Sequence, residues 1–152
     1  MEGINHWLDV LKEQAPSGYA IALHIEFNAL KLMFQTYPVA WINHYEETGY
    51  VLCDPIVMWG FGAKGTCRWS EMEELDVRGV LNEARNYDMN YGFASSTRAN
   101  NKHTIGGFTR ADREFTDAEI SEITVILEMI HKEEISAIKL SDKQKTLINA
   151  LA

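Results

Sequence analysis

Several signals that would mark a secreted, metal-binding or membrane-spanning protein are missing from this sequence. It contains 2 cysteines, Cys53 and Cys67, which suits a reducing compartment, and nothing near them resembles paired metal-ligand spacing. There is no charged-then-apolar leader, and no apolar run reaches the ~18 residues that a membrane helix needs. We therefore predict a cytoplasmic protein with no bound metal and no membrane span.

Basic residues are scarce as well. Lysine and arginine together number 14, against 22 aspartate and glutamate residues, and the formal net charge is −8. No stretch of the sequence concentrates positive charge. Because contact with phosphate groups requires a basic surface, this segment is not predicted to bind nucleic acid itself.

The sequence patterns of common catalytic sites are also absent. There is no GxSxG elbow and no HExxH metal pattern, and no candidate base stands beside either cysteine. A segment punctuated by Gly60, Gly62 and Gly65 lacks the GxxxxGK[ST] pattern of a phosphate-binding loop, and we expect it to act as a lid over a ligand. We predict no catalytic residues, so an enzyme is the least favoured function.

What the sequence does contain is enough apolar material for one domain. Its 152 residues are 46% hydrophobic, which suits a single domain with a substantial core. Periodicity and turn residues predict helices at 4–13, after residue 38, after residue 55, at 76–89 and at 117–135, and strands at 19–27, 30–35, 91–97 and 104–111. This order predicts an α+β fold, in which helices lie on the faces of an antiparallel sheet.

The most informative stretch runs from residue 37 to residue 69. Pro38 can begin a helix, on which Trp41 and Tyr45 share one face because they are four residues apart. An indole N–H group donates a hydrogen bond, and a phenol both donates and accepts. These side chains can therefore hold the polar groups of a ligand while their rings cover its apolar part.

A carboxylate follows in the same stretch. Asp54 comes directly before Pro55, an order that places the aspartate at a helix N-cap and the proline at the first helical position. Two interpretations remain open on residue types alone. Asp54 and the aromatic residues either cap a helix and fill a core, or they form a small-molecule pocket.

The order and spacing of these residues resemble a known family. The matching positions are Tyr37-Pro38, Trp41, Tyr45, Asp54-Pro55 and Trp69, followed by Tyr91-Gly92 and the segment from Ile105 to Thr109. As a set they are similar to the ligand-binding domain of LuxR-type quorum-sensing regulators, the receptors for N-acyl-homoserine lactones. The resemblance covers nearly the whole chain.

The resemblance implies an α-β-α sandwich, with a central antiparallel sheet of about five strands and the ligand enclosed between sheet and helices. It implies that Trp41 donates to the lactone carbonyl, that Asp54 accepts from the ligand amide, and that Tyr37 or Tyr45 contacts the acyl part. It also places three further residues in the ligand-binding set, namely Thr109 facing the acyl carbonyl and Trp69 and Trp59 as cavity walls. No cofactor is implied besides the ligand.

This sequence departs from the family pattern at two places. Ile56 follows the Asp54-Pro55 pair, at a ligand-binding position where some relatives have a polar residue, so one ligand hydrogen bond is expected to be lost. The segment Ser95-Ser96-Thr97 lacks the proline that is usual after the glycine strand. The far wall of the pocket is therefore not predicted.

The resemblance also bears on domains and partners. It implies an autoinducer-binding domain at 1–135, followed at 136–152 by a linker and the first helix of a truncated helix-turn-helix domain. DNA is then contacted only through a C-terminal domain that this chain lacks. A homodimer is expected, with a stripe of isoleucine and leucine on the last long helix serving as core or as dimer contact: Ile120, Ile123, Leu127 and Ile130.

Two functions from different classes therefore remain. The first is a sensor domain that binds an acyl-homoserine lactone and couples binding to folding, dimerisation and control of DNA binding. The second is a ligand-independent truncated receptor that inhibits full-length regulators by forming heterodimers.

Overall fold

The computed structural model describes residues 3–26 and 32–134. Its helices are α1 (Gly3–Gln14), α2 (Val39–Thr48), α3 (Pro55–Gly62), α4 (Val80–Ala84) and α5 (Asp117–His131). Its strands are β1 (Gly18–Ile25), β2 (Leu32–Gln35), β3 (Gly65–Arg68), β4 (Tyr91–Ala99) and β5 (Lys102–Arg110). Short 3₁₀ turns at Tyr50–Leu52, Trp69–Glu71 and Arg85–Tyr87 connect some of these elements.

The strands form one five-stranded sheet in the order β2-β1-β5-β4-β3, and every neighbouring pair is antiparallel. β4 and β5 form a hairpin, whereas β1 pairs with β5 across most of the chain, for example Ala20 opposite Gly107. A register shift in β1 follows Ala22, next to His24, whose φ of 55° is unusual for a residue with a side chain.

One face of the sheet is covered by α1 and α5. Its core consists of large apolar side chains that alternate along the strands, among them Ile21 on β1, Phe93 on β4 and Phe108 on β5, each 0% exposed. Leu11 from α1 and Leu127 from α5 complete this core from the helical side. We refer to it below as the α1/α5 face.

The opposite face is covered by α2, α3 and α4. Its buried cluster is built around Trp41, Trp69 and Met72, with Ala94 contributed by β4. Because successive strand residues point to opposite faces, the two clusters use alternate positions of the same strands. The predicted α+β sandwich, with helices on both faces of an antiparallel sheet, is confirmed.

Three details differ from the sequence-based expectations. The segment expected to act as a lid divides between two elements: Gly60 and Gly62 lie in α3, and Gly65 begins the edge strand β3, which pairs with β4. The helix expected at 76–89 is reduced to Val80–Ala84 and a 3₁₀ turn, although Asp76 does cap it by accepting from the backbone N–H groups of Val80 and Leu81. Pro38 precedes α2 as its N-cap residue and is not in its first turn.

The apolar stripe of α5 belongs to the domain's own core. Ile123, Leu127 and Ile130 are each 0% exposed against the α1/α5 face, and Ile120 is partly buried beside them. The stripe therefore cannot serve as a dimer contact. The expected boundary at residue 135 and the segment 136–152 lie outside the described residues. Within the described ranges, no helix is long and apolar enough to cross a membrane.

Candidate functional site

A cavity of about 500 Å³ lies between the sheet and the α2, α3 and α4 helices. Small residues at the centre of the sheet make room for it. Ala20 and Ala22 on β1 and Gly107 on β5 line its floor, and Ala20 lies directly opposite Gly107 in the sheet. The adjacent residues Tyr19 and Ile21 are much larger, but they point to the α1/α5 face. The cavity thus follows from side-chain size on one face of the sheet.

Aromatic residues of α2 form one side of the cavity. Trp41 and Tyr45 both line it, as their spacing predicts, with ring centroids 6.0 Å apart in an edge-to-face arrangement. Tyr37, just before the helix, lines the cavity next to them. The three aromatic side chains therefore lie along the same side of the cavity.

Asp54 has two roles: it caps a helix, and its buried carboxylate accepts hydrogen bonds. As the N-cap of α3, its Oδ1 accepts a hydrogen bond of 2.8 Å from the Ile56 backbone N–H. Its Oδ2 accepts one of 2.7 Å from the Tyr45 hydroxyl. Each carboxylate oxygen can accept a further hydrogen bond. The carboxylate thus keeps acceptor capacity at the cavity wall.

Burial controls the protonation of these groups. Asp54 is 8% exposed, and burial raises its pKa, while the bonds from Tyr45 and Ile56 act in the opposite direction. Burial, and secondarily the charge of Asp54, raises the pKa of both Tyr37 and Tyr45. Both phenols are therefore neutral at physiological pH, and the Tyr45 hydroxyl already donates its hydrogen to Asp54.

Two glycines allow aromatic rings to pack directly on the sheet. A Cβ atom on Gly92 would lie 2.6 Å from the Trp69 ring, and one on Gly107 would lie 2.7 Å from the Tyr37 hydroxyl oxygen. Both distances are too short for real contacts, so any larger residue would displace the ring. Because Gly92 and Gly107 have no side chain, Trp69 and Tyr37 can lie directly against the sheet.

The structure brings most of the predicted ligand-binding residues together. Those that line the cavity are Tyr37, Trp41, Tyr45, Asp54, Ile56 and Trp69. Thr109 is not among the lining residues, because its buried hydroxyl donates a 2.7 Å hydrogen bond to the Gly18 carbonyl. Trp59 does not line the cavity either, and packs partly buried against the Trp41 cluster.

Other lining residues were missed by the sequence-based prediction. Strands β1, β2 and β5 contribute Ala20, Ala22, Ile25, Met33, Gln35, Ile105 and Gly107, and the helical side adds Ile42, Glu46, Val57, Phe61, Val80, Leu81, Ala84 and Met89. The strand residues carried a usable signal. Met33 and Gln35 alternate with the core residues Leu32 and Phe34, so they had to point to the other face.

The charges around the cavity favour a neutral ligand. Among the described residues that line it, Asp54 and Glu46 are acidic, and none is lysine, arginine or histidine. An anionic group inside would therefore be repelled and would lack a cationic partner. The arrangement suits an amphiphile with a hydrogen-bond donor near Asp54, an acceptor within reach of the aromatic donors, and an apolar tail. No group of three potential metal ligands occurs in the part of the chain that the structure describes.

Comparison with known sequences identifies a family and two relatives. The sequence pattern of the autoinducer-binding domain family matches residues 27–133. The transcriptional activator SolR of Ralstonia nicotianae is 27% identical over 93 residues, which are 60% of this chain and 39% of SolR. SolR of Ralstonia solanacearum is 28% identical over 94 residues, covering 61% of this chain and 40% of that protein. The matched region is about two fifths of these relatives, which are transcriptional activators.

Comparison with solved structures supports the same fold. Escherichia coli SdiA has a TM-score of 0.62 at 18% identity, covering 96% of this chain and 70% of that chain. SdiA in complex with octanoyl-rac-glycerol has a TM-score of 0.61 at 18% identity, with 96% and 68% covered. The N-acylhomoserine lactone dependent LuxR family transcription factor CepR2 from Burkholderia cenocepacia has a TM-score of 0.58 at 16% identity, with 84% and 88% covered.

Proposed function

Because this chain belongs to the autoinducer-binding domain family of LuxR-type regulators, we propose that its cavity binds an N-acyl-homoserine lactone and that the bound ligand favours the folded, dimeric state. The observation that carries this proposal is the buried Asp54 carboxylate with free acceptor capacity at the wall of an apolar cavity of about 500 Å³. An amide N–H on an acyl chain matches both features.

The proposed roles follow from donor and acceptor chemistry. Asp54 accepts from the ligand amide N–H, and the Trp41 indole donates to the lactone carbonyl. Tyr37 donates to the acyl carbonyl, since its hydroxyl lies over Gly107 at the cavity floor. Tyr45 already donates to Asp54, so it holds the carboxylate in place and offers the ligand only an acceptor.

The remaining predicted residues act on the walls. Ile56 and Trp69 line the cavity and bury the apolar part of the ligand. Thr109 lies on the same face of β5 as Gly107, because two residues along a strand return to the same face, but its hydroxyl is already bonded to Gly18. We propose that it orders the β1–β5 pair beside the cavity. We propose that Trp59, which is partly buried against the Trp41 cluster, helps to hold that cluster in place.

The class of ligand is wider than the lactones alone. SdiA binds octanoyl-rac-glycerol, which carries an acyl chain and hydroxyl donors but neither lactone nor amide. A donor near Asp54 is the shared requirement. We propose the acyl-homoserine lactone first, because the structural relative CepR2 depends on one, and a neutral acylglycerol as the competing occupant.

A ligand-dependent melting experiment tests the proposal. The protein is produced without ligand, and its thermal unfolding is measured with acyl-homoserine lactones of short, medium and long chains. A ligand that binds only the folded state stabilises it by RT ln(1 + [L]/Kd), which is about 2.7 kcal/mol at roughly one hundred times Kd. The protein is also purified from cells grown with the same lactones, and mass spectrometry identifies any compound that it retains.

The outcomes separate the two candidate functions. Higher melting temperature and soluble yield with one lactone support the sensor function. Equal melting curves and yields across the whole panel, with no small molecule retained, would favour the ligand-independent partner of full-length regulators. Retention of an acylglycerol would keep the sensor function and replace the ligand.

A further inference from the structure

The Glu83 carboxylate, which lies outside the cavity, contacts residues of two neighbouring elements that pack around Trp41. Glu83 lies on α4, which lines the cavity with Leu81 and Ala84. Its Oε2 accepts a hydrogen bond from the Tyr50 hydroxyl. Its Oε1 lies close to the His44 Nε2 atom, without hydrogen-bond geometry. Glu83 thus connects α4 to α2, which carries His44, and to the 3₁₀ turn that follows α2.

Both partners of Glu83 pack on the Trp41 ring. The His44 and Tyr50 ring centroids each lie 6.0 Å from that of Trp41, and His44 and Tyr50 contact each other at 5.4 Å. Tyr87, which ends the 3₁₀ turn after α4, lies 5.3 Å from Trp41 and stacks on His44. The indole is 3% exposed as a result. Two of the rings that pack on the indole, those of His44 and Tyr50, also contact Glu83.

The pKa shifts agree with an ionised carboxylate that receives a phenol hydrogen bond. The bond to Glu83 is the largest cause that raises the pKa of Tyr50 to about 12, and the same bond is the largest cause that lowers the pKa of Glu83. The His44 and Glu83 side chains are 32% and 33% exposed, so water reaches the contact between them. We therefore expect Glu83 to act by fixing the positions of His44 and Tyr50 more than by stabilising the fold.

We propose that Glu83 is a positioning residue for ligand recognition, which fixes the Trp41 indole by holding His44 and Tyr50 against it. The inference rests on the proposed function, in which Trp41 donates to the ligand. Glu83 touches no ligand in this arrangement and does not line the cavity. Its effect on affinity therefore depends on the presence of Trp41.

A double-mutant cycle tests this dependence. Binding of N-octanoyl-homoserine lactone is measured by calorimetry for the wild type, Glu83→Gln, Trp41→Phe and the double variant. We expect Glu83→Gln alone to bind about threefold to tenfold more weakly, because the hydrogen bond from Tyr50 and the contact with His44 both change. In the Trp41→Phe background, the same change is expected to weaken binding by less than about twofold, since the donor that it positions is gone.

Two further variants guard against trivial explanations. Tyr50→Phe keeps the ring on Trp41 but removes the hydroxyl that binds Glu83, and we expect a loss in the same direction. Glu74→Gln removes one negative charge at an exposed position, and we expect wild-type affinity. If Glu83→Gln does not fold, Tyr50→Phe takes its place in the cycle.

The outcomes are distinguishable from a failure of the proposed function. Equal losses in the wild-type and Trp41→Phe backgrounds, or wild-type affinity of both Glu83→Gln and Tyr50→Phe, would overturn the positioning role. If the wild type does not bind the lactone, the proposed function fails first, and near-ultraviolet circular dichroism of the ligand-free proteins then decides. A weakened aromatic signal in Glu83→Gln supports the positioning of Trp41, and an unchanged signal refutes it.

Discussion

On one face of the sheet, α1 and α5 cover Phe93 and Phe108 completely, whereas on the other face α2, α3 and α4 leave a cavity of about 500 Å³. Both faces are built from the same strands. The difference comes from side-chain size, since Ala20, Ala22 and Gly107 stand on the cavity side where Ile21 and Phe108 stand on the other.

The two faces also differ in their polar content. The α1/α5 face is filled mainly by aliphatic and phenylalanine side chains, which specify packing and little else. The cavity face places Asp54, Tyr37 and Tyr45 around the empty volume. Substitutions on the first face should therefore change stability alone, and substitutions on the second should change ligand binding with a smaller effect on stability.

The largest effect is expected on the α1/α5 face. Leu127→Glu buries an unpaired charge at a position that is 0% exposed, so we expect a loss of more than about 4 kcal/mol and an unfolded protein, with or without ligand. Circular dichroism measures this directly. Met129→Glu is the matched control on the same helix, because Met129 is 39% exposed and the folded state should tolerate the charge.

The same pair bears on the proposed dimer. A folded Leu127→Glu protein would contradict the assignment of the α5 stripe to the core. Light scattering of Met129→Glu then tests the exposed side of α5, where Val125 is 58% exposed. A folded but monomeric Met129→Glu protein would place the dimer contact on that side.

The next largest effect is expected at Asp54, on the cavity face. Asp54→Asn keeps the side-chain shape and part of the N-cap, but it replaces a charged acceptor with a neutral one. We expect lactone binding to weaken by roughly 1.5–3 kcal/mol. Stability should change less, since burial already disfavours the ionised carboxylate. Calorimetry and thermal melting of the same samples separate the two quantities.

The opposite result at Asp54 would show that the cavity face does not differ from the α1/α5 face in this way. If Asp54→Asn bound the lactone like the wild type while melting at a much lower temperature, Asp54 would be only a helix cap. Thr116→Ala is a useful reference for that case, because Thr116 caps α5 with a capping box and does not line the cavity.

Local sequence signals predicted the fold well where they were strong. The apolar period of α5, its capping box at Thr116 and the Asp54-Pro55 start of α3 all appear as expected. β3 was missed because Gly65–Arg68 is a short edge strand whose side chains are exposed or half-buried, which leaves no apolar alternation to detect. The length of the α4 helix was overestimated. Asp76 does bind the first backbone N–H of this helix, but the α-helix begins only after Gly79 and ends at Ala84.

The candidate site was predictable only where local spacing controls it. Trp41, Tyr45 and Asp54 depend on helix geometry, so their shared position could be expected from the sequence. The Thr109 hydroxyl, in contrast, is bonded to Gly18 through the β1–β5 pairing, which joins residues 91 apart in sequence. Such a register cannot be read from one sequence. The lining residues of β2 were missed for a different reason, since the alternation of Met33 and Gln35 with Leu32 and Phe34 did indicate their face but was not used.

An effect of acid is expected through His103, a β5 residue that lies beside the C-terminal end of α3. His103 is 5% exposed, and its Nε2 lies 2.6 Å from the Ser96 hydroxyl, which is 2.8 Å from the Ala63 carbonyl. Burial is the main cause that lowers the pKa of His103 from 6.5 to about 4. The unfolded chain therefore takes up a proton first as the pH falls. Stability should drop by up to roughly 3 kcal/mol between about pH 6.5 and pH 4.

The contribution of His103 must be isolated from that of other groups. Asp54 acts in the opposite direction, because its raised pKa means that protonation relieves a buried charge. His131, at the end of α5, acts in the same direction as His103, since burial lowers its pKa too. The measurement is thus urea unfolding of wild type and His103→Gln across this range. Parallel stability curves for the two proteins would refute the role of His103.

The smallest and sharpest test compares two neighbouring glycines on β5. A Cβ atom on Gly106 would lie 2.9 Å from the Phe108 ring and 3.4 Å from Leu127, on the α1/α5 face. One on Gly107 would lie 2.7 Å from the Tyr37 hydroxyl oxygen, on the cavity face. Both side chains are the same methyl group, one residue apart. Only the face differs.

We expect Gly106→Ala to cost about 1 kcal/mol of stability and to leave ligand affinity unchanged, because close-packed rings have little room to move. Gly107→Ala should cost less, since the hydroxyl end of Tyr37 can swing into the cavity. That movement occupies space needed by the acyl chain, so lactone affinity should fall by up to about tenfold. Thermal melting and calorimetry of both variants check this. If Gly107→Ala lost stability without affinity, or Gly106→Ala lost affinity without stability, the two faces would not divide packing from recognition as their side chains indicate.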